Sequence, residues 1–136
     1  MTQTTLPVDP AIIAGLQAVL PHSHSPYSRF KVAAAVTDET GRTHYGINIE
    51  NAAFPVGTCA EQSAIAALAT SGARKITRVV LTGSDTSNLW PCGACRQRIA
   101  ELAAPDCDVV VVDDTGEVMR EAFSALLPRQ FVLTPS

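Results

Sequence analysis

Three cysteines constrain this chain more than any other feature. Cys59 opens the run Cys59-Ala-Glu61, and a C-x-x-C follows in Pro91-Cys92-Gly-Ala-Cys95, with Cys92 placed 33 residues after Cys59. Each group sits at the start of a segment with helical character. Cys59 to Thr70 is Ala-rich with Ile65 and Leu68 in helical phase, with Gly72 as its stop, and Gly93 to Ala104 runs as a helix until Pro105. A helix start carries free N–H groups and the positive end of the helix dipole, so a thiol there ionises readily. Two such helices lying side by side would present three thiolates to one ion.

The remaining segments specify how those helices are carried. Pro10 to Leu20 holds Ile12, Ile13, Leu16, Val19 and Leu20 at helical spacing, with Asp9 as N-cap. Phe30 to Thr37 reads as a buried strand. Asp38-Glu-Thr-Gly41 is turn chemistry, and Thr43 to Ile49 is the antiparallel partner. Val79 to Thr82 is a short strand, Val109 to Val112 is apolar on both faces as a central strand would be, and Glu121 to Leu127 reads as a last short helix. Strands alternating with helices, together with an initial hairpin, predict an α/β fold. The expected form is a three-layer α/β/α sandwich around a mixed sheet of about five strands. A length of 136 residues fits one domain, taken as residues 1–136.

Composition narrows the class of function. Thirteen acidic against ten basic side chains leave a net charge of -3, which argues against a protein held on a nucleic-acid polymer by bulk charge. No apolar run reaches the roughly 18–20 residues of a membrane span. Met1 to Pro10 lacks the basic and apolar regions of a secretory leader, so the expected location is the cytoplasm. In that reducing compartment closely spaced cysteines bind metal or do redox chemistry more often than they form disulfides.

The C-x-x-C alone would fit a redox pair or half of a structural zinc site, and Glu61 alone would fit an acid complementing a helix dipole. Together they are more specific. Thiolates favour Zn²⁺, and three protein ligands leave its fourth position open, as in catalytic rather than structural sites. A carboxylate in the first turn beside Cys59 can move the proton of a water activated there without ligating the metal.

Cys59-Ala-Glu61 followed by Pro91-Cys92-Gly-Ala-Cys95-Arg96-Gln97 resembles the small zinc-dependent cytidine deaminases of the homotetrameric nucleoside branch. The likeness extends through Pro26-Tyr-Ser-Arg-Phe30-Lys-Val-Ala-Ala-Ala35, Gly46-Ile-Asn48-Ile-Glu50-Asn51-Ala52 and Leu126-Leu-Pro-Arg-Gln-Phe131. It implies one zinc on Cys59, Cys92 and Cys95, and a proton shuttle at Glu61 that also bonds the ring N3. It implies Asn48 and Glu50 on the ribose 3′-hydroxyl, which alternation along a strand would place on one face. Phe30 would stack on the pyrimidine, Ala60 would contact the substrate, and Phe131 would reach into a neighbouring subunit's site. The implied reaction converts cytidine and 2′-deoxycytidine to uridine and 2′-deoxyuridine with release of ammonia, in pyrimidine salvage. The alternatives are a deaminase of blasticidin-type antibiotics, a polynucleotide editing enzyme and a zinc-binding scaffold without catalysis.

Two positions depart from that family's pattern: Gln62 stands where arginine is usual, and Trp90 where a smaller residue is common. Elsewhere, His22 and His24 read as a solvated loop and His44 as structural. Cys107 reads as a small apolar residue before a strand, and Arg74, Lys75 and Arg78 as a solvated basic face.

Overall fold

The structure is a computed structural model and describes residues 6–135; residues 1–5, within the stretch read for a leader, and residue 136 lie outside the description. The first helix, α1, spans Pro10–Val19. Asp9 caps it by accepting a hydrogen bond from the Ala11 N–H at 2.9 Å, with Pro10 at the first helical position. Then come strands β1 (Val32–Asp38) and β2 (Thr43–Ile47), helix α2 (Ala60–Thr70), strand β3 (Ile76–Gly83) and helix α3 (Gly93–Leu102). Strands β4 (Ala103–Asp113) and β5 (Gly116–Ala122) and the one-turn helix α4 (Phe123–Leu126) follow, and single 3-10 turns lie at Leu20–His22 and Phe54–Val56.

The strands form one mixed sheet in the order β2-β1-β3-β4-β5. Only β3 and β4 pair in parallel; the other neighbours are antiparallel. Alternate residues feed two cores. Ala33, Ala35, Val80, Val110 and Val112 meet Leu16 and the apolar side of α1. On the other face Ala34, Val36, Val79, Leu81, Val109 and Val111 meet Ala64 and Leu68 of α2, Ile99 of α3 and Phe123 of α4. The result is the expected three-layer α/β/α fold.

Topology brings the two cysteine-bearing helices together. α2 leads into β3 and α3 leads into β4, and these strands are parallel neighbours. Both helices therefore run in the same direction on the same face, and their N-termini meet at the carboxyl end of the parallel pair, where open α/β sheets place their sites. Gly46 sets the fit of α2 on β2. A Cβ there would lie 2.3 Å from the Ala64 nitrogen and 2.5 Å from the Ala60 oxygen, so only glycine allows the approach.

Several expected boundaries shift. β1 starts at Val32 rather than Phe30, β2 ends at Ile47, and β3 begins at Ile76. α3 stops at Leu102, and Pro105 lies inside β4 rather than beyond a helix. It is tolerated there because the ladder to β3 jumps from Ile76–Ala103 to Arg78–Asp108, leaving no partner for the missing N–H. β5 has no counterpart among the expected strands, and Glu121 and Ala122 belong to it rather than to a helix. Its residues Glu117, Met119, Arg120 and Glu121 are good helix formers, and pairing with β4 overrides that preference. Arg78 is not part of a solvated face. It grips the fully buried Asp108 through Nε and Nη2 at 2.9 and 3.0 Å, and Arg120 adds a third contact at 2.8 Å. His44 is structural as expected: its Nε2 lies 2.8 Å from Oδ2 of the buried Asp38, whose Oδ1 also accepts from the N–H groups of Thr40 and Arg42 in the β1–β2 turn.

Candidate active site

Cys59 and Cys92 are the N-caps of α2 and α3, and neither side chain bonds back to its own helix. Their sulfurs lie 3.9 Å apart, and with Cys95 they form a set whose sulfurs all fall within 4.8 Å of one another. Two thiolates each about 2.3 Å from a tetrahedral zinc would be separated by about 3.8 Å, so the spacing of Cys59 and Cys92 suits that ion. Cys92 is exposed, Cys59 half-buried and Cys95 buried, so the cluster faces outward on one side. Among the described residues, no other trio of cysteine, histidine or acidic side chains is gathered for a metal.

The cluster is electrostatically poised. Hydrogen bonding with Cys95 and then Cys92, aided by the charge of Arg98, lowers the Cys59 thiol to about 6 against the opposing effect of burial. Cys95 moves upward because it serves as the protonated partner of that thiolate and is itself buried. Glu61, in the first turn of α2, is 6% exposed. Burial raises its carboxyl above the usual glutamate range, the Cys59 charge adds to the rise, and Arg98 opposes it. A carboxyl raised in this way exchanges a proton near neutrality more readily than an ordinary glutamate. Cys107, by contrast, is buried in the core within β4, where burial pushes its thiol up to about 12.

Residues 48–50 continue β2 in extended form, with Ile49 bridging to His24 and Thr58. Ile49 is 45% exposed while Asn48 and Glu50 are half-buried, so the expected alternation holds beyond the strand end. Both side chains also hold the surrounding backbone. The Asn48 Oδ1 accepts from the Val32 N–H at 2.9 Å and from Ser23 Oγ, while Nδ2 donates to the Phe30 carbonyl at 2.9 Å. Glu50 Oε1 accepts from the N–H groups of Tyr27 and Ser28 at 3.0 and 3.1 Å, and Oε2 from Ser28 Oγ.

Glu50 lines a cavity of about 380 Å³ with Tyr27, Ser28, Asn51, Phe54 and Gly57, and only Thr58 separates Gly57 from Cys59. That volume is in the range of small-molecule sites. Phe30 is 37% exposed beside it in the chain, whereas Ala60 is buried at the start of α2. Phe131 is 71% exposed in the C-terminal tail, and its carbonyl accepts from Gln97 Nε2 at 3.2 Å. Gln62 and Trp90 are half-buried, and Trp90 packs on the core rather than standing free. Sequence reasoning gave no role to Tyr27, Ser28 or Phe54, although Tyr27 and Ser28 lie within the Pro26–Ala35 run that carries the resemblance; Phe54 had no signal beyond its place in the loop after Glu50.

A thiol cluster at paired helix starts, open on one side and with a buried acid in the adjoining turn, has the parts that a zinc-dependent hydrolytic enzyme requires. The match of residues 12–113 to the cytidine and deoxycytidylate deaminase zinc-binding region places the chain in that family, to which it belongs. It is 37% identical over 121 residues to the cytidine deaminase of Mycoplasma genitalium, covering 88% of this chain and 92% of that one. It is 36% identical over 109 residues to that of Halalkalibacterium halodurans, covering 80% and 83%. The crystal structure of cytidine deaminase from Burkholderia pseudomallei matches with a TM-score of 0.82 at 33% identity, over 91% of this chain and 99% of that one. The family resemblance, the α/β fold and the zinc cofactor expected from the sequence are borne out.

Proposed function

We propose that this chain hydrolyses cytidine and 2′-deoxycytidine to uridine and 2′-deoxyuridine, releasing ammonia. The observation that carries the reading is the buried Glu61 carboxyl in the turn that follows Cys59, beside three thiols spaced for one zinc. Cys59, Cys92 and Cys95 would hold that zinc, which supplies a Lewis acid able to make water nucleophilic at neutral pH. Glu61 takes one proton from the water that adds to C4 and delivers it to the ring N3, then carries the remaining proton of the added hydroxyl to the 4-amino group, so that the C4–N bond breaks, ammonia leaves and the C4 carbonyl forms. Its raised carboxyl suits both directions of transfer.

The substrate contacts follow from remaining hydrogen-bond capacity. Asn48 uses both lone pairs of Oδ1 and one N–H internally, which leaves one amide N–H for a sugar oxygen. Glu50 retains acceptor capacity on Oε2 for the hydroxyl proton of the ribose 3′-position. Phe30 stacks on the pyrimidine, and Ala60 packs beside it at the buried start of α2.

The exposure of Phe131, Val132 and Leu133 supports an assembly in which this tail enters a neighbouring copy's site, as a homotetramer. Four free cysteines and the absence of any described helix long and apolar enough to cross a membrane are consistent with a cytoplasmic role in pyrimidine salvage.

The test is ammonia release from cytidine, deoxycytidine, CMP, cytosine and blasticidin S. Turnover of both nucleosides above the other compounds is expected. Turnover of blasticidin alone would transfer the assignment to antibiotic deamination, and no release from any would leave a zinc-binding scaffold.

A further inference from the structure

Three thiolates around Zn²⁺ carry an excess negative charge, and Glu61 adds a further acid beside them. Such charge has to be offset within the protein, because the groups that set a metal's environment include the partners of its ligands. α2 supplies no cation in its first turn: it holds Glu61 and the uncharged Gln62. Two arginines on α3 stand near the cluster in sequence, Arg96 and Arg98.

They do different things. Arg96 Nε donates to the Pro91 carbonyl at 2.8 Å, and its Nη1 donates to the Leu126 carbonyl at 2.9 Å. Its guanidinium therefore ties the loop before α3 to the end of α4. Arg98 lies three residues after Cys95, on the same side of the helix. Its Nη1 donates toward the Cys95 sulfur at 3.6 Å.

We propose that Arg98 is the counter-cation of the thiolate site, a positioning residue that holds the Cys95 sulfur toward Cys59 and Cys92 and offsets their shared negative charge. α3 then provides what α2, with Gln62, does not. The inference rests on the reading that these three cysteines bind zinc, and its test separates the two.

Zinc affinity is measured at fixed pH by competition with a chromogenic chelator, on folded apoprotein reloaded with the metal alone. Wild type should take about one zinc per chain, and failure of that result would overturn the zinc reading itself. Arg98→Gln should weaken binding on the order of tenfold, the scale seen when a ligand's outer partner is lost. Arg98→Met, which keeps aliphatic length without charge, carries the same expectation if Arg98→Gln does not fold. Arg98→Lys should recover most of the affinity, which a merely structural role for the guanidinium would not predict. A thiolate-to-cobalt absorption band that shifts in Arg98→Gln and returns toward wild type in Arg98→Lys would support the assignment independently. Wild-type zinc affinity in a folded Arg98→Gln or Arg98→Met protein would overturn it, as would a lysine variant as weak as glutamine.

Discussion

Gly46→Ala tests how α2, and with it Cys59 and Glu61, is seated on the sheet. Gly46 is buried in β2, and the added Cβ would meet the Ala64 nitrogen at 2.3 Å, the Ala60 oxygen at 2.5 Å and the Ala64 Cα at 2.9 Å. All three are backbone atoms of α2, so no side-chain tip can turn away; the helix has to move by a substantial part of an ångström. Overpacking of this sort costs about 1–3 kcal/mol, and a backbone obstacle puts this position at the upper end. For a domain of this size each kcal/mol lowers Tm by roughly 3–4 °C, so a fall on the order of 10 °C is expected. Gly93→Ala is the matched control. It adds the same methyl group at the first residue of α3, where nothing lies within 4 Å, and should change stability by no more than about 1 kcal/mol. Both variants are to be compared with wild type by calorimetry and by urea unfolding, with zinc in excess. Because α2 carries Cys59, Gly46→Ala should also bind zinc more weakly. A Gly46→Ala protein melting within about 2 °C of wild type would refute the claim that glycine is required for this contact.

Other outcomes follow from the charged and apolar groups. Hydrogen bonding to His44 and Thr40 holds Asp38 below its ordinary value of 3.8, so its ionised form stabilises the fold above that pH and the contribution is lost as pH falls below it. The stability gap between wild type and Asp38→Asn, read from urea midpoints, should therefore be full near neutrality and narrow below about pH 4; a gap that widens on acidification contradicts the assignment. Cys92→Ala should lose most of its zinc while Cys107→Ala keeps it, and metal analysis showing the reverse would place the site on the wrong cysteines. On the proposed assembly, Phe131→Ala should raise KM for cytidine with little change in Tm, because the side chain is exposed in the isolated chain; an unchanged KM would remove it from the site.

Much of this arrangement was legible in local chemistry. Asp9 followed by Pro10 marks the start of α1, Gly72 at φ +100° closes α2, and the run Val109 to Val112 can only be a strand covered on both faces. The metal trio and Glu61 were legible for the same reason, since each is defined by its distance from a helix start. What was hidden depends on partners remote in sequence. β5 is built from helix formers and becomes a strand only because β4 lies beside it. Arg78 looks solvated until Asp108, 30 residues on, is found beneath it. Asn48 and Glu50 were expected on a ribose hydroxyl, and the sequence alone does not show that the segment from Ser23 to Val32 folds back and takes up much of their hydrogen-bonding capacity. Spacing alone could not decide which of Arg96 and Arg98 turns toward the sulfurs. That choice is made by the carbonyls of Pro91 and Leu126, which claim Arg96.

The central claim is that Glu61 moves the protons of a zinc-dependent deamination. Its most direct test is the rate of ammonia release from cytidine by Glu61→Gln, measured beside its zinc content and melting temperature. The amide preserves size and leaves Cys59, Cys92 and Cys95 untouched, but it cannot accept and return a proton. Loss of about two to four orders of magnitude in kcat, the usual share of general acid–base catalysis, is expected with zinc near one per chain and the fold intact. Near-normal turnover by folded, zinc-replete Glu61→Gln would contradict the account.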